Sequence, residues 1–163
     1  MSIKFKKLND VRYLVVHCAA TPAKMDVGRK EIDLWHRQRG FAGIGYHAVI
    51  RRDGTVETGR SLETPGAHAQ GFNEYSYGVC LVGGIKSLPE GEPEANFTPA
   101  QMESLARVLQ EWRAMWPKAE ILGHRDLPSP HARSKACPSF DVKEWIANGM
   151  QAETPPTSQG PKA

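Results

Sequence analysis

The chain has 163 residues, of which 40% are hydrophobic and 24% are charged, and its formal net charge at pH 7 is +3. This length suits one hydrophobic core, and the composition excludes a wholly disordered or fibrous chain. The small basic excess would favour contact with an anionic polymer, but it is too small to specify nucleic acid or cell wall.

The N-terminal stretch "MSIKFKKLND" lacks the apolar centre of a secretion signal. No apolar run approaches the roughly 18 residues that a membrane-spanning helix needs. We therefore expect synthesis in the cytoplasm and no membrane insertion. Three cysteines, Cys18, Cys80 and Cys137, cannot all pair within one chain, and a reducing cytoplasm disfavours pairing any of them.

The first elements are a strand and a helix. Residues 11–18 are rich in β-branched and aromatic types and predict a buried strand with His17 near its end. Residues 29–40 place apolar side chains at helical spacing before Gly40, which predicts a helix.

A hairpin is predicted next. Residues 45–59 alternate in hydrophobicity on both sides of Asp53-Gly54, a dipeptide that suits a tight turn. Strand alternation places Tyr46 on the same face as Ala48 and His47 on the opposite face.

The second half predicts two more strands and two helices. Residues 60–76 read as a long loop containing His68, and residues 77–85 as a strand containing Cys80. Residues 98–117 predict a long amphipathic helix, because apolar side chains recur at helical spacing from Met102 to Trp116. Thr98 and Gln101 have the spacing of a capping box, which marks its start.

The final segments complete the fold class. Residues 119–127 predict a short strand that runs into a polar turn, and residues 139–149 a last short helix. This order predicts an α/β domain with a mixed central sheet flanked by helices. We expect a single domain over residues 1–150 and a disordered tail over residues 151–163, which contains no large apolar side chain.

Three side chains could converge on a metal ion. His17 ends one strand, His124 follows another, and Cys137 lies in a loop thirteen residues later. Two imidazoles and a thiolate are a ligand set that zinc accepts, and a fourth position left to water is typical of a catalytic site. Structural histidines are common at strand ends, so the spacing alone leaves both interpretations open.

The surroundings of the thiols distinguish them. Cys18 follows His17 directly, so its side chain should point to the opposite face of the sheet and into the core. Cys80 lies inside an apolar strand and also reads as a core thiol. Cys137 lies two residues after Lys135, which favours its ionised form.

Together these residues resemble the zinc-dependent N-acetylmuramoyl-L-alanine amidases, the type-2 amidase family that shares its fold with peptidoglycan-recognition proteins. The resemblance is strongest to the short single-domain lysozymes of T-seven-like phages. It covers helix residues 29–36 and the stretches "VVHCAATP", "GYHAVIRRDGTVETGR", "GVCLVGGI", "NFTPAQMESL", "GHRDL" and "KACPSF". It implies a Zn²⁺ cofactor held by His17, His124 and Cys137.

The resemblance also implies the reaction and the residues that assist it. The family cleaves the amide between the lactyl group of N-acetylmuramic acid and L-alanine by means of a zinc-activated water. Tyr46 and Lys135 correspond to residues required for catalysis in the phage members. Lys135 would stabilise the oxyanion, and Tyr46 would orient or transfer a proton. His68 corresponds to a cleft residue and is a candidate substrate contact.

One stretch departs from the family's phage members. The segment between His124 and Cys137 is longer than in the most compact of them, which leaves the placement of Lys135 open. His131, inside this segment, reads as solvent-facing, with substrate contact as the alternative. His36 and His47 read as structural residues.

Partners and location follow from the resemblance. Bacterial peptidoglycan would be the substrate, reached from the host cytoplasm after a holin-type protein permeabilises the membrane. Two alternatives are a peptidoglycan-binding module without catalysis and an inhibitor of phage RNA polymerase, for which the basic residues 4–7 would be suited. Cys137 argues against the first, because relatives that bind without cutting have lost a ligand. We expect a monomer that does not bind nucleic acid directly.

Overall fold

The fold is described from a computed structural model, in which residues 8–89, 91–133 and 136–159 are described. The strands are β1 (Tyr13–Cys18), β2 (Thr21–Pro22), β3 (Ala48–Ile50), β4 (Val56–Thr58), β5 (Ser76–Leu81), β6 (Gly84–Ile85) and β7 (Glu120–Gly123). The α-helices are α1 (Arg29–Gln38), α2 (Pro99–Met115), α3 (Pro130–Arg133) and α4 (Val142–Ala147), and 3-10 helices span Asn73–Tyr75 and His124–Asp126.

A five-stranded mixed sheet with the order β4-β3-β5-β1-β7 forms the centre. β1 runs parallel to both of its neighbours, β5 and β7, and β3 runs parallel to β5, whereas the β3–β4 pair is antiparallel. Val16 pairs with Gly123 in the register of β1 and β7. His17 and His124, the residues that follow this pair, therefore lie at the same end of the sheet, as parallel topology requires.

One face of the sheet is covered by α2. Leu14 and Val16 of β1 share a buried cluster with Leu105 and Leu109 of the helix. The capping box predicted at its start is present: Thr98 Oγ1 accepts from the amide of Gln101, 3.1 Å away, and the Gln101 side chain accepts from the amide of Thr98 at 3.0 Å. The sequence-predicted long helix is confirmed with its cap.

The opposite face carries α1 and the site. Ile32 of α1 shares a smaller buried cluster with Val49 of β3 and Cys80 of β5, and Tyr46 packs against that cluster. The predicted alternation is wrong here, because Tyr46 lies on the face of Val49 rather than on that of Ala48. Regular strand geometry begins only at Ala48, so the period of two does not extend back to Tyr46.

The mixed α/β class and the main elements agree with the sequence prediction. The helix α3 and the small parallel sheet of β2 and β6 were not predicted, since four and two residues respectively are too short to show a period. No helix within the described ranges has the length and apolar character that crossing a membrane requires.

Residues 151–159 lie against the rest of the fold. Thr154 Oγ1 donates to the carbonyl of Phe97 at 2.7 Å, and Thr157 Oγ1 accepts from the amide of Ala95 at 2.9 Å. Ser158 bonds to the guanidinium of Arg125. The domain boundary at residue 150 and the disorder of the tail remain predictions, and these contacts allow them to be tested.

Candidate metal centre

The structure brings His17, His124 and Cys137 together. Each offers one ligand atom, and these three atoms all lie within 4.8 Å of one another. His17 is contributed by β1, and His124 by the 3-10 helix that follows β7. The amide of Arg125 donates to the carbonyl of Cys137 at 3.1 Å, which ties the turn after His124 to the loop that carries the thiol.

His17 uses its two ring nitrogens differently. Nδ1 lies 3.9 Å from Sγ of Cys137, and Nε2 lies 2.8 Å from Nδ1 of His68. The side chain is only 2% exposed. Burial, with smaller effects from His68 and His124, lowers the pKa of His17 well below its usual value. The imidazole is therefore neutral at pH 7, as a metal ligand must be.

Cys137 is held by Cys18. The amide of Cys18 donates to Sγ of Cys137 at 3.1 Å. A hydrogen bond between the two thiols, together with burial, raises the pKa of Cys137 well above its usual value. The sequence expectation that its surroundings favour the thiolate rests on Lys135, which lies outside the described residues, and it therefore stays a prediction. A bound cation would also favour ionisation there, because a thiol that coordinates a cation loses its proton.

The donor set fits zinc. Zinc bonds of about 2.1 Å to nitrogen and 2.3 Å to sulfur place tetrahedral ligand atoms roughly 3.5 Å apart. The 3.9 Å between His17 Nδ1 and Cys137 Sγ is close to that separation. Soft sulfur with imidazole nitrogen favours zinc over magnesium or calcium, which prefer oxygen.

Tyr46 borders the cluster. Its ring centroid is 5.1 Å from that of His17 and 5.3 Å from that of His36. Burial, with smaller effects from the thiols, including that of Cys80, raises the pKa of Tyr46 well above its usual value. The phenol therefore keeps its proton at neutral and mildly alkaline pH and can act as a donor.

A cleft of about 610 Å³ opens over these residues. His17, His124 and Cys137 line it together with Tyr46 and His68, and further lining residues include Arg39, Gln70, Asn73 and His131. The volume is within the range of ligand sites in general.

The sequence profile of the N-acetylmuramoyl-L-alanine amidase family matches residues 7–140. This chain belongs to that family. The amidase is 50% identical over 147 residues to the endolysin of Enterobacteria phage K11, covering 90% of this chain and 93% of the relative. It is 45% identical over 143 residues to the endolysin of Escherichia phage T7, covering 88% and 90%.

A solved structure supports the same assignment. N-acetylmuramoyl-L-alanine amidase LysC from Clostridium intestinale URNW matches the amidase with a TM-score of 0.69 and 26% identity, over 91% of this chain and 93% of that one. The type-2 amidase fold expected from the sequence is confirmed. The protein is a peptidoglycan-hydrolysing amidase of the phage endolysin kind, and its function is host lysis.

The remaining predicted residues of the amidase are placed as follows. Lys135 lies outside the described residues. His131 is exposed at the rim of the cleft. His36 accepts a hydrogen bond from the amide of Gly45, and His47 accepts one from the amide of Gly78, so both rings are anchored to backbone within the fold.

Two contacts were missed by sequence reasoning. The side chain of Cys18 lies in the core on the α2 face as predicted, but its amide reaches Cys137. Strand alternation describes side chains and gives no signal for such a backbone contact. The hydrogen bond between His17 and His68 joins residues 51 positions apart, and no local pattern indicates it.

Proposed function

We propose that this amidase depends on zinc held by Nδ1 of His17, one ring nitrogen of His124 and Sγ of Cys137. The observation that carries the proposal is the convergence of these three donor atoms within 4.8 Å at the floor of the cleft. The neutral state of the buried His17 imidazole supports it. The presence of the third ligand also favours catalysis over a binding module that lacks chemistry.

The bond cut is proposed to be the amide between the lactyl group of N-acetylmuramic acid and L-alanine. When bound, zinc supplies a Lewis acid that lowers the pKa of water to about 7 and polarises a carbonyl. Tyr46 provides a protonated phenol beside the cluster, suited to orienting the nucleophile or passing a proton to the leaving amine. Lys135 is proposed as the charged donor to the oxyanion, on the family resemblance alone.

Metal analysis of the purified protein, combined with mass spectrometry of digested peptidoglycan, tests the proposal. We expect one zinc per chain and products that end in free muramic acid lactyl carboxylates and free L-alanine amines. His124→Ala and Cys137→Ser should lose the zinc. Cys80→Ala removes a buried thiol that supplies no proposed ligand, although its residue pairs with His17 across β1 and β5, and this variant should keep the zinc.

Two results would overturn it. Full activity in protein whose metal has been removed, as verified by elemental analysis, would contradict zinc dependence. Cleavage at a glycosidic bond or within the stem peptide would contradict the proposed target.

The route to the wall is also a proposal. The similarity to phage endolysins supports accumulation in the host cytoplasm, followed by access to peptidoglycan once a holin-type protein has permeabilised the membrane. Lysis only when a holin is co-expressed would support this route. Inhibition of phage RNA polymerase and a monomeric state remain predictions, and the basic residues 4–7 lie outside the described residues.

A further inference from the structure

His68 contacts one of the proposed metal ligands directly. Its Nδ1 lies 2.8 Å from Nε2 of His17, which is an ordinary hydrogen-bond distance. The two rings are perpendicular, with centroids 4.9 Å apart. One of these nitrogens must carry the shared proton, and the chemistry of His17 decides which one.

His17 must be the donor when its Nδ1 binds a metal. Nδ1 faces Cys137 Sγ at 3.9 Å, so the lone pair on that nitrogen is the one available to a cation in the cluster. A neutral imidazole that gives its Nδ1 lone pair to a metal carries its proton on Nε2. If His68 donated instead, His17 would have to be a fully deprotonated imidazolate, which is far less stable.

The proton order continues through His68. With Nδ1 accepting from His17, the proton of His68 lies on Nε2, 3.3 Å from Oγ of Ser76. The hydroxyl of Ser76 donates to the carbonyl of Phe72 at 2.8 Å, so its oxygen is free to accept from His68. Each donor in this series of hydrogen bonds then faces an acceptor, and the series ends at the backbone carbonyl of Phe72.

The fold provides a fitted slot for the His68 ring. A Cβ placed on Gly66 or on Gly78 would lie 2.6 Å from an atom of that ring, so side chains at both positions are excluded by close approach. Oδ1 of Asn73 accepts from the amides of both His68 and Ala69, each at 2.9 Å, which anchors the backbone that carries the ring.

We propose that His68 is a positioning residue, whose Nδ1 accepts the Nε2 proton of His17 and thereby holds His17 in the tautomer and orientation that present Nδ1 to the metal. The inference rests on the zinc site proposed above. It assigns His68 a role other than hydrogen bonding to substrate, since both of its ring nitrogens already have protein partners. Acceptors behind a metal-bound histidine typically change metal affinity by about 10- to 100-fold when they are removed.

An isosteric pair of variants tests the role. His68→Asn keeps an acceptor oxygen on Cγ, where Nδ1 is attached in histidine, whereas His68→Leu fills a similar volume without an acceptor. We expect zinc affinity, measured by chelator competition, to fall by about 10- to 100-fold in His68→Leu and by much less in His68→Asn. The same pair of changes at His131, which lines the cleft, should leave zinc affinity unchanged.

Long-range proton–nitrogen NMR of the zinc-loaded wild type provides a second readout. Both His17 and His68 should carry their proton on Nε2. A proton on Nδ1 of His68 would overturn the inference, as would equal zinc affinities in the Asn and Leu variants, which would mean that the ring only fills its slot.

The outcomes separate the two proposals. Wild-type protein that binds no zinc would defeat the proposed function and this inference together. Wild-type protein that binds zinc at an affinity unaffected by His68→Leu would defeat the inference alone. Melting curves of the metal-free variants verify that each one folds.

Discussion

The amide of Arg125 donates to the carbonyl of Cys137 at 3.1 Å, so the residue after one proposed ligand is bonded to the backbone of another. The Arg125 side chain, 6% exposed, extends this link by donating to the carbonyl of Ala136 and to Ser158. A buried arginine thus links the backbone segments that carry two of the proposed ligands, His124 and Cys137.

Replacing Arg125 with alanine should therefore destabilise the protein and weaken zinc binding. The change removes the charged donor from the part-buried carbonyl groups of Ala136 and Ser158, and a hydrogen bond to a charged group contributes about 1.5–3 kcal/mol. Urea unfolding and zinc competition measure the two effects. Arg113→Ala is the matched control, because that arginine is exposed and donates to the carbonyl of Pro117 at the surface. Equal stability losses in both variants would contradict this role for Arg125.

Removal of residues 151–163 tests the domain boundary. A disordered tail predicts no effect, whereas the bonds of Thr154, Thr157 and Ser158 predict a loss of about 1–3 kcal/mol in the free energy of unfolding. We expect the loss, measured by urea titration. Deleting residues 160–163 alone should be neutral, and a neutral result for the longer deletion would support a domain that ends at residue 150.

The parts of the site that follow from strand topology could be predicted from sequence. Parallel strands end at one edge, so a histidine at the end of β1 and another just after β7 had to come close together. The long helix α2 was equally accessible, because its cap and its apolar period both lie in one continuous segment.

The remaining features depend on contacts that have no local signature. The face of Tyr46 was predicted wrongly because the strand begins two residues later than the hydrophobic pattern suggests. The hydrogen bond between His17 and His68 requires a loop to fold back over β5 into a space left by two glycines. The family resemblance implies the proposed ligands, whereas the contacts that Cys18 and His68 make with them follow from the fold.

Tyr46→Phe should lower the rate without removing the metal. Burial raises the pKa of Tyr46 well above its usual value, so the wild-type phenol keeps its proton at neutral and mildly alkaline pH and its ionisation should not limit activity there. Loss of a positioned proton donor typically costs about 10²- to 10⁴-fold. Rate assays on purified peptidoglycan, with zinc content measured in parallel, test this. An unchanged rate would remove Tyr46 from the chemistry.

Zinc removal should lower the melting temperature, because the three proposed ligands come from distant parts of the chain and meet only in the fold. At free zinc about 100 times the dissociation constant, binding contributes about 2.7 kcal/mol, or roughly 5–11 °C for a domain of this size. Calorimetry with and without a chelator measures the shift. In Cys137→Ser the chelator should change the melting temperature little. A shift equal to that of the wild type would mean that zinc binds elsewhere.

Acidification should destabilise the metal-free protein, in part through His47. Burial lowers the pKa of His47 to about 4 from an ordinary value of 6.5. Between those values the unfolded chain binds a proton that the folded protein does not, so stability falls as the pH falls from about 6.5 towards 4, by up to about 1.4 kcal/mol per pH unit.

Urea unfolding at several pH values measures this dependence of stability on pH. His47→Gln should reduce this slope. Val108→Ala is the control: it changes the core without adding or removing a titrating group, so it should lower stability but leave the slope unchanged. If His47→Gln retains the full slope, the acid sensitivity arises from other groups.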